Sequence, residues 1–273
     1  MRYIISLFAA IIGLVATGSN NVTLVTFAST DETGITDSIA TGYYKAYNEN
    51  IDTINIIFPV GKIKQGVEQF KARTNSIAAQ SKEDGYFIMG LSFDGSAAAT
   101  ICASESSPEG LILVSGVCVD GSQFMTRMMT GLSYIYDFPN PREIREQMRK
   151  EIELYTSSEP FDTIEPTMPE EFRELVKFQP KKYLGKLTCP VFAAFGGADP
   201  LVNWYENSSS LDIILPPSNS TVIKTYLETG CCLLNTENNS NLPWFGDMNP
   251  NAPRSFNSYA IADIIEWLKA NSK

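Results

Sequence analysis

Two short stretches of the chain carry residue types able to do acyl chemistry. The first is Gly90-Leu91-Ser92-Phe93-Asp94-Gly95, directly behind the apolar run Tyr86-Phe87-Ile88-Met89 and ahead of Ser96-Ala97-Ala98-Ala99. An apolar strand, a tight turn between small residues and an alanine-rich helix form the context in which a serine hydroxyl projects from a sheet edge. The usual spacing is G-x-S-x-G, whereas Asp94 here holds the place of the second glycine and Gly95 follows one residue later. A strand-to-helix turn with an incidental serine would read the same way. The second stretch runs from Val191 through Phe195-Gly196-Gly197-Ala198-Asp199-Pro200-Leu201-Val202, an apolar strand followed by an acid. A carboxylate at that strand end, downstream of the serine, is placed to orient and stabilise an imidazolium. The alternative is that Asp199 caps the next helix.

The imidazolium itself is missing, because the 273 residues include no histidine. A serine hydroxyl near neutral pH is a poor nucleophile and needs a proton acceptor within reach. A cysteine is a weak substitute: its ordinary pKa is about 8.5, and it does not readily hand a proton on to a leaving group. A carboxylate such as Asp94 or Glu228 serves only if burial raises its pKa. The five cysteines, Cys102, Cys118, Cys189, Cys231 and Cys232, have no regular spacing. No disulfide framework and no Cys/His zinc site is expected from them. Adjacent Cys231 and Cys232 could close a strained vicinal disulfide, but two small buried thiols are the expectation. No cofactor and no metal is expected.

Short apolar runs alternate with helical patterns, as positioning such residues requires. Strands are expected at 22–28, 53–58, 86–90, 111–114, 191–195 and 221–226. Helices are expected at 35–47, from 63 onward with Ile63, Val67, Phe70 and Ile77 on one face, at 95–103, and at 204–215. The last helix buries Ile261, Ile264, Ile265 and Leu268. Continuous apolar strands between amphipathic helices imply an α/β class with a mostly parallel sheet covered on both faces. From Asp120 to Lys182 no strand pattern survives, and this stretch reads as a helical insertion over the mouth of the sheet. Its Met125, Met128 and Met129 are core filler or, alternatively, a ligand-binding lip. The asparagine-rich stretch 235–253 reads as a long loop anchored by Trp244 and Phe245.

Composition narrows the partners. A formal net charge of −10 with no basic run argues against nucleic acid and anionic lipid. Met1-Arg2-Tyr3, an apolar run from Ile4 to Val15 and Ala16-Thr17-Gly18 form a secretory signal-peptide pattern. Its alternative is a buried first strand or helix. The run is too short for a comfortable membrane span of roughly 20 residues. The expected chain is therefore a signal peptide at 1–18 and one domain at 19–273, secreted or lumenal, with no membrane span after processing. Asn21, Asn207, Asn219 and Asn238 head N-x-S/T triplets that could carry glycans.

With these stretches in view, residues 22–273 resemble the α/β-hydrolases of the serine aminopeptidase-like and dienelactone-hydrolase-like group, carboxylesterases included. That resemblance implies an α/β-hydrolase fold with a helical cap at about 120–182, Ser92 as nucleophile and Asp199 as acid. It also implies oxyanion donors at Phe93 and at Ala28, on a strand, Val22 to Ser29, that lacks the group's glycines. The turn that supplies the group's histidine is similar to Tyr226-Leu227-Glu228-Thr229-Gly230-Cys231-Cys232-Leu233-Leu234, which puts Cys232 at the histidine position, or Cys231 if the turn is one residue shorter. The implied substrates are small esters or short peptides. Three readings follow: a hydrolase with an unusual base, a pseudoenzyme binding a ligand or partner through the old pocket, and a structural relic. Loss of the histidine favours weak or absent catalysis.

Overall fold

The computed structural model describes residues 22–29, 35–49, 51–81, 85–135, 139–157, 170–217, 220–235 and 255–272. The signal-peptide pattern, Asn21, Asn219, Asn238, Trp244 and Phe245 lie outside the described residues. Six strands, β1 (Val22–Ser29), β2 (Thr53–Val60), β3 (Phe87–Leu91), β4 (Gly110–Val114), β5 (Val191–Gly196) and β6 (Thr221–Tyr226), form one sheet in the order β2-β1-β3-β4-β5-β6. Every neighbouring pair is parallel.

The apolar strand runs follow from burial on both faces. Val25 and Phe27 of β1 join a core with α2 (Ile63–Ser81) and α3 (Ser92–Glu105). Leu24 and Ala28 join a second core with α1 (Ile35–Asn48) and α9 (Ser258–Asn271). The same alternation divides Ile88 from Phe87, Met89 and Leu91, and Ala193 and Phe195 from Phe192 and Ala194. A strand buried on both sides has no polar face to show, so its sequence reads as an unbroken apolar run.

The chain passes from β1 to β2 on one side, then crosses back from β2 to β3 on the other side of β1 and builds outward from there. In open parallel sheets such a reversal leaves a crevice at the carboxyl ends of the two strands. β1 ends there at Ser29 and β3 at Leu91, one residue before Ser92.

Between β4 and β5 the described elements are all helices: α4 (Gly121–Ile135), α5 (Pro141–Thr156), α6 (Glu170–Val176) and α7 (Lys181–Leu184). Met125 and Met128 are buried in the α2/α3 core and Met129 packs against it, so these three methionines fill space rather than form a lip. α4 passes beside the site: the Phe124 ring lies 5.1 Å from that of Phe93, and a Cβ on Gly131 would stand 3.6 Å from the Pro200 carbonyl oxygen. Arg127 of α4 pairs with Glu206 in α8 (Trp204–Ile214).

Two sequence expectations are corrected. The helix after β3 begins at Ser92 rather than Gly95, because Leu91 is still extended and the chain reverses at Ser92 itself. Asn207 is buried; its Oδ1 accepts from the Cys118 amide (2.7 Å) and its Nδ2 donates to the Asn203 carbonyl (2.9 Å). That side chain is spent inside the fold and has no room for a glycan.

Candidate active site

The turn after β3 is built from close approaches. Ser92 adopts φ 62°, a left-handed conformation that costs a non-glycine residue about 1–2 kcal/mol. Its surroundings hold it there. A Cβ on Gly90 would stand 2.6 Å from Ser96 Cα, and one on Gly95 would stand 2.5 Å from the Phe27 carbonyl oxygen. The contact with the neighbouring strand is therefore made by Gly95, three residues after Ser92, which leaves the preceding position open to the buried Asp94. Ser29, at the end of β1, fastens the turn: its Oγ accepts from the Gly95 amide at 2.9 Å and donates to the Leu91 carbonyl at 3.4 Å.

The acid turn follows β5. Asp199 Oδ1 accepts from the amides of Leu201 (2.9 Å) and Val202 (3.0 Å), so the carboxyl organises its own turn. It does not cap α8, whose N-cap is Asn203, with Oδ1 accepting from the Glu206 amide at 3.1 Å. Oδ2 is buried and accepts no hydrogen bond of good geometry, although the Ser115 hydroxyl and the Cys231 thiol both face the carboxyl. Burial pushes the Asp199 carboxyl up to about 6, against the opposing pull of the Val202 and Leu201 amides, Ser115 and Cys231.

The third turn, the 3-10 segment Cys231–Leu233 beyond β6, presses against the second. A Cβ on Gly196 would stand 2.2 Å from the Gly230 carbonyl oxygen, and the Ala198 amide donates to the Thr229 carbonyl at 2.9 Å. The thiol of Cys231 faces both the Ser92 hydroxyl and the Asp199 carboxyl. Its pKa stands well above the ordinary thiol value, through the hydrogen bond with Cys232, through burial, and through the neighbouring Cys232 and Asp199. Cys232 is anchored by its backbone, its amide donating to Ser115 Oγ at 2.9 Å and its carbonyl accepting from the Tyr43 hydroxyl at 2.7 Å. The thiol facing both the serine and the acid thus belongs to Cys231, as in the shorter of the two turns, with Cys232 Sγ 3.6 Å from it.

Of the five non-glycine residues with positive φ among the described residues, four surround this point: Ser92, Ser115, Cys232 and Leu233. Strained backbone persists where neighbouring structure over-determines it, and such residues gather at functional sites. Phe93 lies in the first turn of α3. Ala28 lies within the ladder, opposite Pro59 and Leu91. Glu228 is exposed beyond β6, which removes it as a buried base. Ser115, Ser29 and Tyr43 escaped the sequence reading; for Ser115 the available signal was a small polar residue closing the apolar strand Leu111-Ile112-Leu113-Val114. Among the described residues no group of three or more Cys, Asp or Glu is placed to hold a metal ion.

No protein-family model matches the chain, and no curated protein sequence does. Solved structures do. Est1E from Butyrivibrio proteoclasticus superposes with TM-score 0.53 at 12% identity, over 92% of this chain and 87% of that one. A structure from the metagenome-derived lipolytic enzymes LipS and LipT gives 0.54 at 11% identity, over 94% and 96%. A meta-cleavage product hydrolase from Pseudomonas fluorescens gives 0.52 at 13%, over 94% and 92%. The chain has the α/β-hydrolase fold. In that fold a serine in a strand-to-helix turn, an acid from a later strand and a base from a following turn meet at one end of the sheet. In this chain the turns of Ser92, Asp199 and Cys231 follow β3, β5 and β6 and meet at one end of the sheet.

Proposed function

We propose that this protein belongs to the carboxylic ester hydrolase class, with Ser92 as acyl-accepting nucleophile and Asp199 as acid, and that its turnover is weak because Cys231 stands where the base should be. The observation that carries the reading is the position of the Cys231 thiol, facing both the left-handed Ser92 and the buried Asp199. Attack by Ser92 Oγ on an ester carbonyl releases an alcohol and leaves an acyl serine, which water then cleaves. Both steps need a group that takes a proton and returns it. Cys231 keeps its proton at neutral pH, and a sulfur is a poor acceptor, so the serine proton reaches Asp199 only if the thiol passes its own on in the same motion. Loss of the base in serine hydrolases costs roughly 10⁶ in turnover and leaves about 10³–10⁴ over water from the remaining site.

The substrate class that fits is a small ester or a short peptide, with the Phe93 amide and the end of β1 near Ala28 receiving the developing oxyanion. The insertion between β4 and β5 acts as the cap, supported by α4 lying beside both Phe93 and Pro200. The N-terminal pattern at 1–18 supports secretion. A second reading, a pseudoenzyme that binds a ligand or partner through the old pocket, is favoured by the same protonated thiol.

An activated short-chain ester and a fluorophosphonate probe separate the two. Slow hydrolysis that disappears in Ser92→Ala, with the probe bound at Ser92, supports the weak enzyme; no hydrolysis and no labelling of the folded protein leaves the binding reading. Residual activity through a charged Asp199 rises as pH increases through about 6, where the carboxyl loses its proton.

A further inference from the structure

We propose that Cys231 and Cys232 form a reversible vicinal disulfide by reaction with a hydroperoxide, with Asp199 accepting the proton of the attacking thiol. The pair is already in contact, its sulfurs 3.6 Å apart and both side chains buried. The turn that presents it is held from outside: Ser115 takes the Cys232 amide, Tyr43 holds the Cys232 carbonyl, and the backbone is left-handed at Cys232 and Leu233. An acceptor stands beside the first sulfur, because Asp199 Oδ2 is buried without a hydrogen bond of good geometry and its carboxyl faces the Cys231 thiol. Cys231 is also the member of the pair beside the Ser92 hydroxyl, and it keeps 4% of its surface exposed where Cys232 keeps none.

The chemistry closes with those groups. As the Cys231 sulfur attacks the distal peroxide oxygen, its proton passes through Asp199 to the leaving oxygen in the same motion, so the O–O bond breaks and water or an alcohol is released without a free thiolate. Cys231 is then a sulfenic acid. The Cys232 sulfur attacks it, the S–S bond forms, and the hydroxyl departs as a second water with the Cys232 proton. Two thiols lose two electrons, which the peroxide accepts. Neighbouring cysteines are joined by one peptide, so their Cα atoms sit about 3.8 Å apart, below the usual range for a disulfide. A bond closed across that span is readily reduced by a small dithiol, which makes the step reversible.

The inference rests on the two sulfurs and Asp199, and its test does not read ester hydrolysis. Reduced full-length protein is exposed to millimolar hydrogen peroxide, denatured, alkylated and mapped by mass spectrometry. The expected result is that the five alkylatable cysteines fall to three, with a loss of about 2 Da confined to the peptide bearing Cys231 and Cys232 and reversed by dithiothreitol. Asp199→Asn slows that loss at least tenfold, and Cys232→Ser stops it at a singly oxidised Cys231. Five alkylated cysteines after exposure, a loss mapping to Cys102, Cys118 or Cys189, or an unchanged rate in Asp199→Asn would overturn it.

Discussion

The turn that carries Ser92 and the turn that carries Cys231 are built on the same plan and differ in what they deliver. Each bends through left-handed non-glycine residues, and each is jammed against a neighbouring backbone at a glycine, Gly95 in the first case and Gly196 in the second. Each is also fastened by a serine from another strand end, Ser29 to Gly95 and Ser115 to Cys232. On the proposed reading the first turn delivers a nucleophile in the place the chemistry needs, and the second delivers a thiol to a place that needs an imidazole. Geometry and reactivity are thus set separately here: glycines and backbone partners shape the turn, and one side chain decides what it does.

The strongest test of that separation exchanges the side chain and keeps the turn. Cys231→His is expected to raise ester turnover by about 10²–10³-fold over wild type, with dependence on Ser92, while Cys232→His gives no gain because it is the Cys231 side chain that lies beside Asp199 and Ser92. A folded Cys231→His protein with no gain in kcat would show that the third turn has lost its aim as well as its base. The complementary experiment breaks the turns and leaves the reactive side chains alone. Gly95→Ala and Gly196→Ala each drive a methyl to within 2.5 Å of a backbone oxygen, and each should cost about 3 kcal/mol or more in denaturant unfolding. Gly131→Ala, whose nearest atom is 3.6 Å away in the middle of α4, should instead stabilise by about 0.5–1 kcal/mol.

The same division explains what the sequence disclosed. All six strands were legible because burial on both faces writes unbroken apolar runs, as in Phe87-Ile88-Met89 and Val191-Phe192-Ala193. The first two turns were legible too, since each follows such a run directly. The third follows β6, whose residues are only half-buried, and two adjacent cysteines of one type leave the register to the backbone. A shift of one residue in a tight turn reverses which side chain faces the site, and nothing in the composition of Gly230-Cys231-Cys232-Leu233 decides it. Ser115 was hidden for a related reason: its role is to receive the Cys232 amide, a contact between positions 117 residues apart.

Asp199 sharpens the comparison through pH, because its carboxyl lies beside the Cys231 thiol, which in turn lies beside Ser92. Its carboxyl is raised from 3.8 to about 6 in the folded chain, so between those values the folded state binds more protons than the unfolded one. Stability from this group is complete below about pH 4 and is lost as pH rises through 6. Asp199→Asn keeps an oxygen for the Leu201 and Val202 amides and removes the buried charge. It should therefore stabilise the protein by about 1–3 kcal/mol at pH 7.5, with the gain fading toward pH 4 in parallel thermal melts. A gain independent of pH would mean that the carboxyl is not buried as charge in the folded state.

The smallest effect is the most specific to the cysteine turn. Tyr43 reaches from α1 to the Cys232 carbonyl at 2.7 Å, whereas Tyr47, one helical turn on, reaches the Met89 sulfur at 3.7 Å. Both hydroxyls are buried, so the two phenylalanine variants differ chiefly in which partner they abandon. Tyr43→Phe should cost about 1 kcal/mol and Tyr47→Phe less than half of that, because a thioether is a weak acceptor. The decisive comparison is made in the Cys231→His background. If the turn's backbone sets the aim of residue 231, Tyr43→Phe lowers the restored kcat several-fold at an unchanged KM, and Tyr47→Phe leaves it alone. Equal losses in the two variants would place the aim in the packing of α1 as a whole rather than in the hydrogen bond to Cys232.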